Sequence, residues 1–580
     1  MKIADRKFIS CDFETSTQKW LERDGGVARV WLWGMYNIFE DTFRYGIDLD
    51  SFMNIILSKR GDYNPIYYFH NLKFDGSYIV SWLLDNGYIH DRELSARNTF
   101  KASISETGLW YSVQVCIAHN GKQKYIVTIQ DSLKKIPLPV RDIPKAFGIP
   151  DEAKGEIDYD EYREVGHLPT EEEVDYLKHD CTIVAKGLMK LEEEGFTKMT
   201  GSSDAFYQWK KTLLSDRARK KGVKPEHAYR DIFPIVNIYE DDYIRKAYRG
   251  GWTYVNPKFV NQIITKPVEV WDINSMYPAK MKEKYLPIGE PMFFRGQPHP
   301  TKYQCYIAHI MIGFEIKPNH LPCIQLKNSY YFNPTDYLLS SDNHLVELWV
   351  TNVDLKMIFS QYDVYEIQYI DGMYFNKTRG YFDEHIDKNM KIKESSTGAT
   401  RQIAKNRMNQ VYGKTATAPR RRDKVPYLDD DGIIRFHYSE YKIEEPEYTA
   451  LGVFITSWAR YDIIKDAQKN YDRFIYCDTD SLHLLKNEDG TEPDLPIHPT
   501  KLGFYKKEHD VIKSTFLRSK TYIEQYDDGR IEVKCAGASP EVKKNMNFDN
   551  FKIGSTFEGK LMPMQVKGGC VLAKTFFTIK

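Results

Sequence analysis

The chain of 580 residues reads as an α/β protein of several domains. Three observations predict this. At roughly 150 residues per domain, its length implies three or four lobes. Short apolar strand patterns alternate with amphipathic helix patterns. Hydrophobic residues make up 42% and charged residues 28%, enough to bury sizeable cores in a globular chain.

In chain order, residues 7–13, 65–70 and 125–130 have strand character, the second being rich in aromatics. A helix starts at Thr170, where Thr-Glu-Glu-Glu forms a capping box, and Gly195 closes it. Its apolar residues Val174, Leu177, Cys181, Val184, Leu188 and Leu191 step by three and four, predicting one buried stripe. The small polar run at 199–204 marks a domain boundary. A strand follows at 268–273, then a region rich in Tyr, Pro and Asn up to about 380, then a helix over about 396–412. Two hairpins are expected, one around the Asp-Gly turn within 425–436 and one over 474–484. A basic, glycine-containing tail ends the chain, and there is no internal repeat.

Composition excludes several classes. No stretch approaches the roughly 20 apolar residues that cross a bilayer. Residues 1–17 lack the apolar core of a signal peptide. The eight cysteines are scattered without CxxC or zinc spacing, which fits a reduced intracellular compartment. With 81 basic and 81 acidic side chains the chain is no simple nucleic-acid coat, though a local basic channel remains open to it. The 41 tyrosines include rings that could stack on bases, although most are expected in cores and sheets.

The sharpest motif is Tyr476-Cys477-Asp478-Thr479-Asp480-Ser481 between two strand-like runs. Carboxylates two apart on a strand share a face and can reach one metal cluster at a hairpin tip. A lone DxD is usually a solvated turn, but apolar flanks argue against exposure here. Asp272 ends an apolar strand in Trp271-Asp272-Ile273-Asn274-Ser275-Met276-Tyr277-Pro278, where a charge is expensive without a partner. On the helix near 396–412, Arg401, Lys405, Asn409 (or Met408) and Tyr412 share a face. Two cations, an amide and a phenol suit a nucleoside triphosphate; a solvated basic face is the commoner cause of such spacing. Together, three carboxylates and a cationic helix match two-metal phosphoryl transfer.

A second constellation lies near the N-terminus. Asp12-Phe13-Glu14-Thr15 repeats the paired-carboxylate pattern, His70-Asn71-Leu72-Lys73-Phe74-Asp75 follows an aromatic strand, and Tyr176 lies four residues before Asp180 on the capped helix. Any one acid could be an ordinary surface residue. As an ordered set they could hold two metals and activate water for phosphodiester cleavage.

The order DINSMYP, KNRMNQVYGK, YCDTDS and Lys520-Thr521-Tyr522 resembles the family B DNA polymerases. Tyr248-Arg249-Gly250-Gly251 resembles the YxGG motif of their protein-primed branch, that of the phi-twenty-nine group of small bacteriophages. The resemblance implies an RNase H-like 3′→5′ exonuclease domain over 1–200, then a right-hand polymerase domain over 201–580. In the latter, the fingers would occupy about 381–419 and the thumb about 530–580. It implies metal ligation by Asp272, Asp480, Asp478 and the Ile273 carbonyl, with Mg2+, two ions per site, and Mn2+ as a substitute. Tyr277 would gate against ribonucleotides; Lys393, Arg401, Lys405, Asn409 and Tyr412 would hold the nucleotide. Tyr248, Gly250 and Gly251 would touch template, and Lys520 and Tyr522 the primer terminus. Gln410 stands where the family usually carries serine.

For the nuclease, the resemblance implies Asp12, Glu14, Asp75 and Asp180 as ligands, Glu156 as a peripheral ligand, Tyr176 orienting the water and Lys154 assisting. Thr15, Tyr68, His70, Asn71, Phe74, Tyr78, Ser132 and Leu133 match the family's single-strand ligands. Roughly 130 residues separate Asp272 from Lys405, too many for a structureless loop. Residues 284–379 therefore read as a subdomain, resembling the insertion that docks a priming terminal protein. The hairpin at 420–442, after Arg420-Arg421-Arg422, resembles the insertion that closes a ring around DNA. These features imply a processive, strand-displacing, protein-primed replicative polymerase, a monomer or a heterodimer with terminal protein. Its partners would be DNA, dNTPs and that protein, with no membrane, in the cytoplasm of an infected bacterial host. A polymerase using only nucleic-acid primers, or a binding scaffold with dead sites, are the alternatives. The intact carboxylates weigh against the scaffold.

Overall fold

In the computed structural model, residues 7–58, 65–121, 123–150, 156–302, 304–326 and 337–580 are described. The first 200 residues build on a mixed sheet of eight strands. Its middle strand, Phe8–Thr15, runs parallel to Ile66–Phe69 and antiparallel to Val30–Asn37. Ile66–Phe69 in turn runs parallel to Lys124–Asp131, so three ends that carry candidate residues converge on one edge of the sheet. Helix Glu171–Glu193 lies against this sheet. The capping box forms as expected, Thr170 and Glu173 each satisfying the other's backbone, an arrangement that contributes about 1 kcal/mol. Leu177, Cys181, Val184, Leu188 and Leu191 are buried, while Val174 at the first turn is only half-buried. Gly34 lets the helix come close: a Cβ there would sit 2.9 Å from Leu177 Cγ.

The run at 199–204 leads into the next helix. Thr200 caps helix Gly201–Thr212, and the Thr197 N–H donates to Asp204 at 3.0 Å. Beyond it stands a second sheet, also of eight strands. Its order is Ile531–Cys535, Thr521–Tyr526, Tyr505–Arg518, Val268–Ile273, Ser481–Leu485, Phe474–Asp478 and Thr253–Val255, with Ile263–Ile264 paired to Tyr505–Arg518. Helix Thr449–Lys469 is buried along most of its length behind this sheet. The helix expected over 396–412 runs Gly398–Thr415, antedated by a further helix, Asp383–Ser395, whose mixed charges hid its period.

The Tyr- and Pro-rich region is a third sheet. Leu286–Arg295, Tyr362–Thr378, Tyr306–Ile316 and Val346–Thr351 pair antiparallel, with helix Asn352–Gln361 closing their own core of Ala308, Ile310, Ile312, Phe314, Leu348 and Ile358. Both expected hairpins form, as Lys424–Leu428 with Ile434–Tyr438 and Phe474–Asp478 with Ser481–Leu485. The first docks on the N-terminal half: Asp423 bridges to Ser105 and accepts from Arg92 at 3.1 Å, while Ile433 bridges to Lys567, in the turn of the C-terminal hairpin formed by Met562–Val566 and Gly569–Ala573. The triple arginine is spoken for. Arg420 pairs with Asp242, Arg421 with Glu444 at 3.3 Å and Arg422 with Glu106. Arg422 thus ties this segment to the N-terminal half, while Arg421 pairs within the hairpin region and stays exposed. Among the described residues no helix is long and apolar enough to cross a membrane.

Candidate active sites

The first site sits at the end of the second sheet. Asp272 is in register with Ser481 on one neighbour and Lys506 on the other. The Ile273 N–H donates to the Asp480 carbonyl at 2.8 Å, locking the two acidic ends together. Thr479 between the aspartates adopts φ +66°, and Ser275 (+53°) and Lys520 (+58°) are left-handed too. Strain of about 1–3 kcal/mol per residue is thus concentrated around one cleft. Gly251 is needed there, because a Cβ would lie 2.5 Å from Thr479 Cγ2 and 3.0 Å from the Tyr277 hydroxyl. Gly250 beside it faces open space.

Burial, then the charges of Asp480 and Glu508, push Asp272 up to about 7, against the pull of Lys405 and Lys506. Burial and Asp478 push Asp480 up to about 6. Asp478 itself is held by Lys520 Nζ at 2.8 Å. Accordingly, no group of three or more His, Cys, Asp or Glu stands preassembled for a metal among the described residues. Asp272 and Asp480 nevertheless form the kind of half-buried, mutually repelling oxygen pair that a divalent cation relieves.

Across the cleft, of about 950 Å³, stand Lys393, Arg401, Lys405, Asn409 and Tyr412, with Met276, Tyr277 and Asn274 on the near wall. Met408 points into the core, which settles the helix face in favour of Asn409. Lys393 Nζ donates to Asn274 Oδ1 at 2.9 Å and Ser275 Oγ at 3.2 Å. Tyr277 stacks on Tyr412 with centroids 4.3 Å apart. Arg460, missed in the sequence, holds the Tyr248-to-Gly251 turn: its Nη1 donates to the Arg249 carbonyl at 2.7 Å and the Gly250 carbonyl at 2.9 Å. Its Nη2 donates to Asp354 Oδ1 at 2.7 Å. Tyr248 lies half-buried close by. Glu508 and Lys506 were also missed; Lys506 is in register with Asp272, and Glu508, unpaired at the bulge between the partners of Trp271 and Val270, lines the same cleft. Gln410 rests against the start of helix Gly201–Thr212, where a Cβ on Gly201 would meet its Oε1 at 3.4 Å.

The second site lies on the first sheet. Asp75 opens helix Asp75–Asp85 and is buried; desolvation raises its pKa strongly, and Asp12, Glu14 and Asp131 add to the rise. Asp180 joins them from the capped helix: burial pushes the Cys181 thiol up, and Asp12, Asp180 and Glu14 all add to the rise. Tyr176 meets the hydroxyl of Tyr159 at 3.1 Å. Tyr159 is a residue the sequence alone does not single out, since no periodic signal marks its loop; burial and then the charge of Glu14 raise its hydroxyl, with Asp12 adding to the rise. Asp131 was missed as well; its Oδ1 accepts from the N–H groups of Asn71 and Leu133, both at 3.0 Å. Lys154 lies outside the described residues, and Glu156 is exposed.

Several expected strand-binding residues are not exposed to a strand. Tyr78 is fully buried and donates its hydroxyl to the Cys570 carbonyl, tying this lobe to the C-terminal hairpin. Tyr68 is buried against Phe8, and Thr15 is buried too. Ser132 is buried and donates to the Phe69 carbonyl at 3.0 Å. His70 spends both ring nitrogens, on Ser132 at 2.9 Å and the Leu138 carbonyl at 2.7 Å. Burial holds its pKa below the usual value. As placed, these five shape the site's wall. Asn71, in a left-handed turn, is exposed, and Phe74 and Leu133 are half-exposed, so those three can still reach a ligand.

Comparison with known proteins agrees with this geometry. Residues 56–494 match the family described as "DNA polymerase type B, organellar and viral". The DNA polymerase of Bacillus phage phi29 is 40% identical over 100% of both chains. That of Streptococcus phage Cp-1 is 34% identical over 99% of this chain and 98% of its own. A structure of the phi29 enzyme complexed with primer-template DNA and incoming nucleotides superposes with a TM-score of 0.91 at 39% identity, covering 99% of this chain and 100% of that one. By this family match and these full-length phage relatives, the chain belongs to the type B DNA polymerases, organellar and viral.

Proposed function

We propose that this phage-type polymerase is a replicative enzyme that starts on a protein primer, displaces the strand ahead and proofreads 3′→5′. The observation that carries the polymerising half is the Asp272–Asp480 pair facing Lys405, Arg401 and Lys393 across one cleft. Asp272, Asp480, the Ile273 carbonyl and, once released from Lys520, Asp478 would hold Mg2+ or Mn2+. Bound there, divalent metal would neutralise the triphosphate and acidify the attacking 3′-hydroxyl. The chain's own cations act on the substrate directly. Lys405 and Arg401, one helical turn apart, take the phosphate oxygens, and Lys393 is held in place by Asn274 and Ser275. Tyr277, braced by Tyr412, would lie beneath the incoming sugar and exclude a 2′-hydroxyl.

Asp12, Glu14, Asp75 and Asp180 form the proposed editing site within 1–200, with Tyr176 and Tyr159 placed to orient water and terminus. Residues 201–580 are read as the polymerase domain, with fingers at about 381–419 and thumb at about 530–580. The sheet within 284–379 is read as the terminal-protein surface, and its exposed Phe293, Tyr365 and Ile370 support that reading. The hairpin within 420–442, docked on both the N-terminal lobe and the C-terminal hairpin, supports a closed path around DNA. Phage relatives support action in the cytoplasm of an infected bacterium.

Two assays test this. Asp478→Asn is expected to abolish primer extension while leaving 3′→5′ degradation; persistent extension would remove the palm assignment. Mixed with its cognate terminal protein and a labelled dNTP, the enzyme is expected to form a covalent protein–nucleotide adduct. No adduct with either metal would leave primer-only synthesis as the better account.

A further inference from the structure

Beneath the catalytic hairpin, His483 and Glu524 form a buried pair, each 1% exposed, with Nδ1 and Oε1 2.8 Å apart. Their strands are not neighbours. Ser481–Leu485 and Thr521–Tyr526 are separated in the sheet by Val268–Ile273 and Tyr505–Arg518. In a flat sheet three strand spacings amount to roughly 14 Å, farther than the two side chains reach together. The bond therefore exists only because the sheet curls, and it closes the curl. Inside it, His483 packs edge-on to Tyr476 at 5.2 Å and to Tyr522 at 5.5 Å, and Phe516 stacks on Tyr522 at 5.2 Å.

What the curl brings together is the catalytic hairpin and strand Thr521–Tyr526, with Lys520 in the turn just before it. The Lys520 N–H donates to the Tyr476 hydroxyl at 2.9 Å, Lys520 Nζ reaches Asp478 at 2.8 Å, and Lys520 itself is held at φ +58°. A lysine strained into that turn keeps its place only if the strands on either side are held. Tyr476 is in register with His483, so the tie acts one strand from Asp478. Leaving either partner of so buried a pair alone is costly, which makes the pair a stiff link.

We infer that His483 and Glu524 are positioning residues for nucleotidyl transfer. By fixing the sheet's curl they set the distance between the primer-facing residues Lys520 and Tyr522 and the catalytic aspartates. They touch neither substrate nor metal. The inference rests on the polymerase site proposed above.

The test uses the full-length enzyme on a primer–template, reading single-nucleotide addition at saturating dNTP, dNTP affinity, degradation of a matched terminus and thermal unfolding. Glu524→Leu is expected to slow addition about tenfold at a temperature where it stays folded, the scale of one lost buried hydrogen bond. The dNTP affinity should hold while degradation of matched termini rises. Glu524→Gln keeps an acceptor for His483 and is expected to stay within about threefold of wild type. Should Glu524→Leu fail to fold, His483→Phe combined with Glu524→Leu replaces the pair by an apolar contact and is expected to show the same slowing. Wild-type addition and partitioning in a folded variant that lacks the bond would overturn the inference. Failure of the site reading shows up separately, as extension that survives Asp478→Asn.

Discussion

The two candidate sites solve the same problem differently. In the polymerase cleft the carboxylates stand among lysines: Lys405 and Lys506 offset Asp272, and Lys520 pairs with Asp478. In the nuclease site acids crowd acids, with Asp12, Glu14 and Asp131 all acting on the buried Asp75. The polymerase must bind a polyanion before any chemistry, so it carries cations of its own. The second site, in its proposed editing role, would have to polarise a water, and its carboxylates would be balanced chiefly by metal. The first site should therefore tolerate metal loss structurally better than the second, where, among the described residues, Lys134 pairs with Asp131 at 3.3 Å.

The largest effect that could break this contrast comes from Asp12→Ala with Glu14→Ala. Degradation of single strands is expected to fall by at least about 10³-fold, the scale seen when groups acting as a unit are removed. Extension should persist, and undiminished degradation would refute the nuclease site. Next, Lys405→Ala is expected to lower kcat/KM for dNTP by about 10- to 100-fold, the value of one charged contact in the transition state. Steady-state kinetics on a primed template read this, and an unchanged value would show that the helix face is merely solvated.

A third measurement concerns pH. Burial and neighbouring charge raise Asp272 to about 7 and Asp480 to about 6. With raised carboxylates the folded chain binds more protons than the unfolded one between about pH 4 and 7, so metal-free stability falls as pH rises through that window. Mg2+ should remove the penalty. Its effect on Tm is expected to be larger at pH 8 than at pH 5 by about 2–4 °C, and equal shifts would contradict metal binding by these carboxylates. The smallest effect tests the revised role of a tyrosine. Tyr78→Phe loses one hydrogen bond to Cys570 and is expected to cost about 1 kcal/mol of stability in denaturant unfolding. Affinity for single-stranded DNA should not change; a large loss would restore Tyr78 as a strand ligand.

Much of this was legible in the residues because it is local. The capping box at Thr170 and the step of four from Arg401 to Lys405 are periodic features, and each lies where its period put it. Asp480, by contrast, lies past the strand end, in a turn made by Thr479 at φ +66°. What stayed hidden depends on contacts distant in sequence. Glu508 joins the site only through the register of Tyr505–Arg518 with Val268–Ile273. Arg460 reaches the Tyr248-to-Gly251 turn from a helix some 210 residues on. The sheet within 284–379 escaped notice because Pro, Asn and Tyr blur a period of two.

The nuclease wall gives the same lesson in reverse. Tyr68, Tyr78 and Ser132 match a binding pattern by type and position, but which face of an element is covered depends on what packs against it, and here the C-terminal hairpin covers Tyr78. The sequence by itself determined the local patterns: which acids lie two apart beside a strand and which cations share a helix face. Only the tertiary structure decided which acids share a burden of charge, which arginines become ties and how the second sheet curls. The reason is physical. Side-chain period is set by the backbone alone, whereas burial, charge coupling and curvature arise only when distant segments are brought together.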